Sequence, residues 1–194
     1  MKAVVEGLTP ARDGGMLVTL RIAGVSPRVH TYRVTDAEYR EAGCPVEEET
    51  VEGEAFAALT EREDTRLAYE RALKILAAGD NTAAALLRKL RERGFSASVS
   101  EKAVKRAEEQ GYIREEEMLL RQLSLYAKRL WGPRKFLPAL LQKGFSRETV
   151  GLAMETAARE GIYQKEAVRQ ALLDEFSPKT EAEAKALLYK YGFF

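Results

Sequence analysis

Histidine and cysteine are almost absent from this 194-residue chain, which contains one of each, His30 and Cys44. A single cysteine leaves no intramolecular disulfide, which fits a reducing compartment. A single histidine excludes the HExxH zinc motif, and the chain also lacks CxxC and the phosphate-binding motifs GxxxxGK[ST] and GxGxxG. We find no set of residues in the sequence with the types and spacing of a catalytic site. We therefore predict a binding protein without enzymatic activity, metal or cofactor.

Long apolar runs are also missing, since none approaches the roughly 18 residues of a membrane span. The first residues, MKAVVEGLTP, lack the apolar core of a signal peptide, so we expect a cytoplasmic protein without membrane contact. Net charge is nearly absent at +1, but it is unevenly distributed. Residues 1–62 contain 7 Lys/Arg against 11 Asp/Glu, and the remainder contains 24 against 19. The carboxy-terminal part is thus mildly basic and the amino-terminal part mildly acidic.

The amino-terminal part has the alternating pattern of short strands. In MLVTLRIAG, the apolar residues Val18, Leu20 and Ile22 fall on one face, and KAVVEGL and RVHTYRV are similarly rich in β-forming residues. The turn signals DGG and GVSP separate these segments. We predict a small antiparallel β-meander of three strands.

Two short helices are predicted to follow the strands. The first begins at a cap on Thr35 or Asp36 and runs through Ala42, and the second covers residues 52–59.

From residue 63 onward the apolar period changes to that of helices, and one phrase recurs three times. Gly-Phe occurs at Gly94, Gly144 and Gly192, at spacings of 50 and 48 residues, each time with leucine four residues before the glycine. The fold class predicted from this spacing is mainly α, with tandem three-helix repeats of unknown handedness. We place the repeats at residues 63–113, 114–163 and 164–194, and expect the third to lack its last helix.

The recurring phrase is interpreted as a joint between helices. Glycine adopts the positive φ that ends a helix, and the phenylalanine then packs back on the leucine of the finished helix. A nearby serine is expected to cap the next helix. A capping-box pattern is also present at Ser98-x-x-Glu101. Asn81 or Thr82 is expected to cap the helix that ends at the first joint. The structural anchors of the repeat are Gly94, Phe95, Gly144, Phe145, Gly192 and Phe193.

Clusters of basic residues are the remaining functional signal in the helical part. A cluster of this kind is usually a solvated face, but several together could contact phosphates or an acidic protein surface. Trp131 lies between two basic pairs and is either a core residue or an interface anchor. The candidate partner-binding residues are Arg88, Arg91, Lys128, Arg129, Arg134, Lys135 and Lys143.

Three segments of the helical part resemble the RecX family. They are RALKILAAGDNTAAALLRKLRERGF, EEQGYIREEEMLLRQL and LWGPRKFLPALLQKGFSRETV, and the resemblance covers about residues 63–194. RecX proteins consist of three tandem three-helix repeats and regulate the bacterial recombinase RecA. The second segment departs from the family pattern, because Arg114-Glu115 stands where two acidic residues are usual.

The resemblance implies a non-enzymatic protein of DNA repair, homologous recombination and the SOS response. Its implied partners are RecA and the RecA filament on single-stranded DNA, with inhibition of ATP hydrolysis, strand exchange and coprotease activity. It leaves open whether the protein caps the filament or occupies its groove. We expect a monomer with weak direct DNA binding. Two alternatives remain open at this point: a stand-alone nucleic-acid-binding module and a repeat scaffold for another protein.

Overall fold

The computed structural model describes residues 2–12, 14–23 and 28–194. The turn predicted at GVSP and the aspartate of DGG lie outside these residues. The chain divides into two compact units. The first comprises Met1–Ala72 and Leu90–Lys105, and the second comprises Leu73–Lys89 and Arg106–Phe194.

A four-stranded antiparallel sheet occupies the first unit, in the order β3-β2-β1-β4. The predicted meander of three strands is confirmed, and a fourth strand, which the sequence pattern did not indicate, pairs with the free edge of β1. This fourth strand has only three residues, too few for alternation to be visible in the sequence. The strands are β1 Lys2–Pro10, β2 Met16–Ile22, β3 Arg28–Val34 and β4 Thr50–Glu52.

The predicted alternation places one face of the sheet in a core. Val18 and Leu20 of β2 are completely buried, and Val5 of β1, which pairs with Leu20, is buried with them. Leu59 of the following helix is part of the same cluster. His30, on β3, is exposed.

Two helices, α1 and α2, come after β3 in the chain. Helix α1, Asp36–Glu41, begins with a capping box in which Thr35 and Glu38 satisfy each other's backbone N–H groups, as the sequence predicted for Thr35. The short helix predicted over residues 52–59 is wrong in extent, because α2 runs without interruption over Gly53–Ala77. No glycine or proline interrupts the segment between residues 54 and 77, so nothing stops the helix at residue 59. The predicted repeat boundaries remain a prediction, although α2 passes through the first of them.

Seven further helices complete the described chain. Thr82 caps α3 by accepting from the Ala85 N–H at 3.1 Å, as one of the two predicted alternatives. The capping box predicted at Ser98 is wrong, because Ser96 accepts from the Val99 N–H while the Ser98 hydroxyl donates to Glu61. The helices are α3 Ala83–Arg91, α4 Ala97–Glu109, α5 Glu115–Lys128, α6 Pro133–Gln142, α7 Arg147–Arg159, α8 Lys165–Phe176 and α9 Glu181–Tyr191.

Each Gly-Phe phrase ends a helix in the way that the sequence predicts. In the second copy the Phe145 N–H donates to the Leu140 carbonyl at 3.3 Å and the Gly144 N–H donates to Leu141 at 3.0 Å, the two bonds of a Schellman motif. The copies at Gly94 and Gly192 make the corresponding bonds. All three glycines have φ between 85° and 96°, a region that costs other residues about 1–2 kcal/mol.

The phenylalanines differ in how deeply they are buried. Phe145 and Phe193 are 4% and 8% exposed and belong to one core cluster with Leu140 and Leu188. Phe95 is only half-buried. The cluster fills the second unit between α5, α6, α7, α8 and α9.

Candidate partner-binding surfaces

The second Gly-Phe joint packs on the start of helix α3, within the second unit. The Thr82 hydroxyl donates to the Lys143 carbonyl at 3.0 Å, across 61 residues of sequence. A Cβ on Gly144 would lie 2.6 Å from the Thr82 Oγ1 and 3.3 Å from the Ala84 Cβ. The Glu115 carboxylate accepts from the Ala83 N–H at 2.8 Å, so it satisfies a backbone donor in the first turn of α3. Thus the second acidic position of the GYIRE segment has a structural role here.

The third Gly-Phe joint packs on the start of helix α6 in a corresponding way. The Gly132 N–H donates to the Tyr191 carbonyl at 2.7 Å, and the Arg134 N–H donates to the Gly192 carbonyl at 3.0 Å. A Cβ on Gly132 would lie 2.3 Å from that Gly192 carbonyl oxygen. Both N–H groups lie at the amino-terminal end of α6, where free N–H groups would favour an anion. Backbone carbonyls of the protein already accept from them.

Aromatic and cationic side chains cluster beside this third joint, and we call Tyr126, Trp131, Lys135 and Tyr191 the aromatic corner. The rings of Trp131 and Tyr126 are stacked, with centroids 5.4 Å apart and planes inclined by 10°. The Lys135 Nζ lies 4.7 Å from the centre of the Trp131 ring and 4.9 Å from that of Tyr191. Cations at this distance are attracted to the faces of aromatic rings. Trp131 is half-buried, so it is both a core residue and a surface residue.

Three more cations lie within three residues of Trp131 in the sequence. Lys128, Arg129 and Arg134 are exposed, and Arg129 lies 5.5 Å from the centre of the Trp131 ring. Among the residues that the structure describes, no carboxylate forms an ion pair with any of these three. Burial raises the pKa of the Tyr126 hydroxyl, and the positive charge of Arg129 partly opposes this. The corner therefore presents uncompensated positive charge beside an aromatic ring.

A separate groove lies beside the second joint, and we call it the basic groove. Its volume is about 380 Å³, and four cationic side chains line it, with Asp80 as the only carboxylate among its lining residues. Met118 and Phe145 contribute apolar surface. The four cations are Arg88, Lys89, Arg121 and Lys143.

Hydrogen bonds to side-chain amides orient two cations of the basic groove. The Lys143 Nζ donates to the Gln122 Oε1 at 2.7 Å, and the Lys89 Nζ donates to the Asn81 Oδ1 at 2.5 Å. Arg121 forms an ion pair with Asp80, and both side chains are more than half exposed. The only carboxylate among the lining residues is therefore paired with one of the four cations.

The predicted candidate residues are therefore divided between places. Arg88 and Lys143 line the basic groove, and Arg129 and Lys135 lie beside the Trp131 ring of the aromatic corner. Lys128 and Arg134 are exposed and are each three residues from Trp131 in the sequence. Arg91 forms an ion pair with Glu101 at 2.8 Å, so its charge is already compensated.

Sequence reasoning missed Arg121, Met118 and Tyr191, and it left Lys89 out of the candidate residues although it belongs to the same basic cluster as Arg88. Met118, Arg121 and Gln122 are three and four residues apart, a spacing that places them on one face of α5. That spacing could have predicted that these three residues line a common surface. Tyr191 had no comparable signal, because its contact with Lys135 joins segments 56 residues apart in the sequence.

The first unit holds a small group of titratable residues by itself. His30 packs edge-on against Tyr32, with ring centroids 4.6 Å apart. Burial raises the pKa of Tyr32 to about 12, and the nearby charges of Asp64 and Glu63 add to the increase. Burial also raises the pKa of Asp64, while a hydrogen bond with Thr60 and the proximity of His30 oppose it. The group shapes the pH dependence of folding, and nothing about it indicates a reaction.

The residues that the structure describes offer neither a metal-binding cluster nor a membrane-spanning helix. They contain no group of three or more His, Cys, Asp or Glu arranged to hold a metal ion. Within the same ranges, no helix has both the length and the apolar character needed to cross a bilayer.

Comparison with known proteins agrees with the resemblance in the sequence. The family model described as RecX, first three-helix domain, matches residues 68–106. The regulatory protein RecX of Pseudomonas fluorescens is 31% identical over 123 residues, which are 63% of this chain and 77% of that protein.

One solved structure supports the fold, and a second is reported beside it. A crystal structure of regulatory protein RecX has a TM-score of 0.52 and 16% identity, and the alignment covers 96% of this chain and 90% of that one. A RecX structure from Lactobacillus salivarius has a TM-score of 0.49 and 14% identity over 67% of this chain and 86% of that one. The predicted fold class, mainly helical after an amino-terminal antiparallel sheet, is confirmed. With a relative of this identity matched over more than three quarters of its length, the chain belongs to the RecX family of regulatory proteins.

Proposed function

We propose that this protein regulates the RecA recombinase by binding RecA and the RecA filament on single-stranded DNA. Its membership of the RecX family is the observation that carries the proposal. The protein acts without catalysis in the cytoplasm, as a monomer, and its effect is inhibition of RecA's ATP hydrolysis, strand exchange and coprotease activity.

The two surfaces of the second unit support a partner that is itself a complex of protein and DNA. The aromatic corner combines a half-buried Trp131 with unpaired cations, a combination suited to phosphates and bases. The basic groove has apolar and amide groups beside its cations, a combination suited to a polypeptide. A filament of RecA on DNA presents both kinds of chemistry.

The decisive experiment is a titration of this protein into the cognate RecA during ATP hydrolysis on single-stranded DNA. The proposal predicts inhibition at substoichiometric to equimolar protein. An unchanged rate with folded protein contradicts it. A parallel titration with heat-denatured protein removes the effect of added mass and buffer.

The aromatic corner also favours a second candidate function, direct binding of single-stranded DNA. Each neutralised phosphate contributes about −0.7 to the slope of log affinity against log salt for single strands. Tight binding without RecA and a steep slope would favour this function. Weak binding at physiological salt, together with RecA inhibition, favours the regulator.

A further inference from the structure

Helix α8 follows the pattern of α5 at an offset of 50 residues, within the second unit. The two helices begin at Glu115 and Lys165, which are equivalent positions. Gly111 and Gly161, which precede them, both have φ of 72°. Each residue of α8 therefore has an equivalent in α5, and the burial of the two helices can be compared residue by residue.

One face of α5 is completely covered. Leu119, Leu123 and Tyr126 are three and four residues apart, so they share a face of the helix, and their exposed fractions are only 0%, 0% and 4%. Helix α7 packs on α5 and belongs to the same core cluster. The buried residues that α7 contributes are small or β-branched: Val150, Ala153 and Ala157.

The equivalent face of α8 is open. Leu173, the equivalent of Leu123, is only half-buried, and Phe176, the equivalent of Tyr126, is 49% exposed. The Phe176 ring centre lies 5.6 Å from that of Tyr191, so the open surface continues from α8 onto α9. We call Leu173, Phe176 and Tyr191 the α8 face. An exposed aromatic ring in a continuous apolar surface is typical of a binding site for another protein.

The α8 face differs from its counterpart at one end. Arg169 occupies the position of Leu119 and forms an ion pair with Glu166 at 3.4 Å, so the apolar surface is shorter than that of α5. The other end keeps the size of the counterpart, because phenylalanine replaces tyrosine at position 176. Phenylalanine also lacks the hydroxyl group of tyrosine, so its ring can be buried without leaving a polar atom unpaired.

From this comparison we propose that the α8 face binds an amphipathic helix of a partner protein. The partner helix carries small or β-branched apolar residues at positions i, i+3 and i+7, as α7 does at positions 150, 153 and 157. Small side chains let the helix axes approach closely over a large ring, and the packing of α7 on α5 is the precedent for this arrangement. The inference goes beyond the proposed function, because it requires neither RecA nor DNA.

The test uses the whole protein and a defined probe, measured by fluorescence anisotropy. The probe is a fluorescein-labelled peptide with the sequence of residues 146–160. Isolated helices of this length are marginal in water, so a lactam bridge joins Glu148 to a lysine introduced by Leu152→Lys. Both positions are exposed in α7, so the bridge lies away from the apolar face of the peptide.

The protein arm compares two variants with the same change at an exposed aromatic residue. Phe176→Glu alters the α8 face, whereas Tyr189→Glu alters a residue that is 74% exposed and projects from a different side of α9 than Tyr191. We expect Phe176→Glu to weaken the peptide at least about tenfold and Tyr189→Glu to stay within about twofold of the parent protein. Phe176→Ala, which keeps the net charge, should weaken it at least about threefold. Circular dichroism and melting temperature check folding of all three variants.

The peptide arm tests whether small residues are needed. A second peptide carries Ala153→Gln and Ala157→Gln, which keep the net charge and a high helix propensity. We expect it to bind the parent protein at least about tenfold more weakly, because the longer side chains prevent close approach to Phe176.

Four results would overturn the inference. They are no binding of the first peptide at protein concentrations up to ~300 µM, equal effects of Phe176→Glu and Tyr189→Glu, equal binding of the two peptides, and a dimer of the parent protein that Phe176→Glu dissociates. The last result, measured by analytical ultracentrifugation, would assign the α8 face to a second copy of this chain. These outcomes are separate from the RecA titration. Peptide binding without RecA inhibition would contradict the proposed function alone, and RecA inhibition without peptide binding would contradict this inference alone.

Discussion

The two joints of the second unit have the same backbone design but different surroundings. At Gly144 the joint is held by a hydrogen bond from the Thr82 hydroxyl to the Lys143 carbonyl. At Gly192 it is held by backbone hydrogen bonds to the start of α6. Beside the first lies the basic groove and beside the second the aromatic corner. The repeated element thus supplies architecture, and the residues around each copy supply the surface chemistry.

The copy at Gly94 makes the comparison sharper. It has φ of +91° and the same Schellman bonds, but a Cβ there would meet nothing within 4 Å. Glycine at this position is required only by the backbone angle. At Gly144 and Gly192 it is required by the angle and by close packing as well.

Gly192→Ala should therefore have the largest effect. The new Cβ would lie 2.5 Å from the Lys135 backbone nitrogen, which cannot rotate away. We expect a loss of about 3–4 kcal/mol in the free energy of unfolding, from the unfavourable angle and the displaced backbone together. The matched control, Gly94→Ala, should lose only about 1 kcal/mol. Urea denaturation measures both, and equal losses would show that close packing at Gly192 is energetically unimportant.

Gly144→Ala should have a smaller effect, about 2–3 kcal/mol, because the nearest atom is a side-chain oxygen. Thr82→Ala removes that oxygen, together with the cap of α3 and the bond to the Lys143 carbonyl, and should cost about 1 kcal/mol alone. The double variant should lose less than the sum of the two single variants, since the clash is then relieved. Strict additivity in the same denaturation experiment would contradict a contact at this joint.

Charge reversal at the aromatic corner tests the surfaces instead of the joints. Lys128→Glu/Arg134→Glu should raise the concentration needed to inhibit RecA's ATPase by about tenfold, with the melting temperature within about 2 °C of the parent protein. Reversal of Arg134 with Lys135 should weaken inhibition too, but it should also cost about 0.5–1 kcal/mol of stability, because the Lys135 ammonium contacts two rings. Lys165→Glu/Lys185→Glu, at exposed residues of α8 and α9, is the control. Unchanged inhibition by the first variant would place the contact elsewhere.

The smallest effect is expected in the first unit, far from either joint in sequence. The pKa of Asp64 is raised in the fold, so its contribution to stability is fully present below the unfolded pKa and is lost as pH rises through the folded pKa. Asp64→Asn should remove this loss and raise the melting temperature by about 2 °C at neutral pH. The advantage should shrink as pH falls through the folded pKa of the Asp64 carboxyl, because the carboxyl of the parent then becomes neutral. A variant less stable than the parent at pH 7 would contradict the assigned direction.

Much of this fold could be predicted from local sequence, because the signals are local. The three Gly-Phe phrases identified helix ends correctly, since the Schellman motif is made within six residues. Strand β4 was missed because three residues are too few to show alternation. The length of α2 was missed because the pattern of apolar residues changes within the helix, although no glycine or proline ends it there. The capping box predicted at Ser98 was wrong because the helix begins two residues earlier, where Ser96 accepts from the Val99 N–H without an acidic residue at the third position.

The surfaces were less predictable because they depend on contacts between distant segments. Clusters of lysine and arginine in the sequence predicted six of the basic residues discussed for the groove and the corner. They could not assign these residues to two different surfaces. Nor could they show that Glu101 forms an ion pair with Arg91. The approach of Thr82 to Lys143, over 61 residues, creates the groove and has no local signature.

The most direct measurement compares binding to three targets: the RecA filament on single-stranded DNA, free RecA and bare single-stranded DNA. Anisotropy of the fluorescently labelled protein at physiological salt measures all three. Two surfaces of different chemistry predict binding to the filament at least about tenfold tighter than to either component, because both are engaged together. Equal affinity for bare DNA and for the filament would contradict a regulator of the filament.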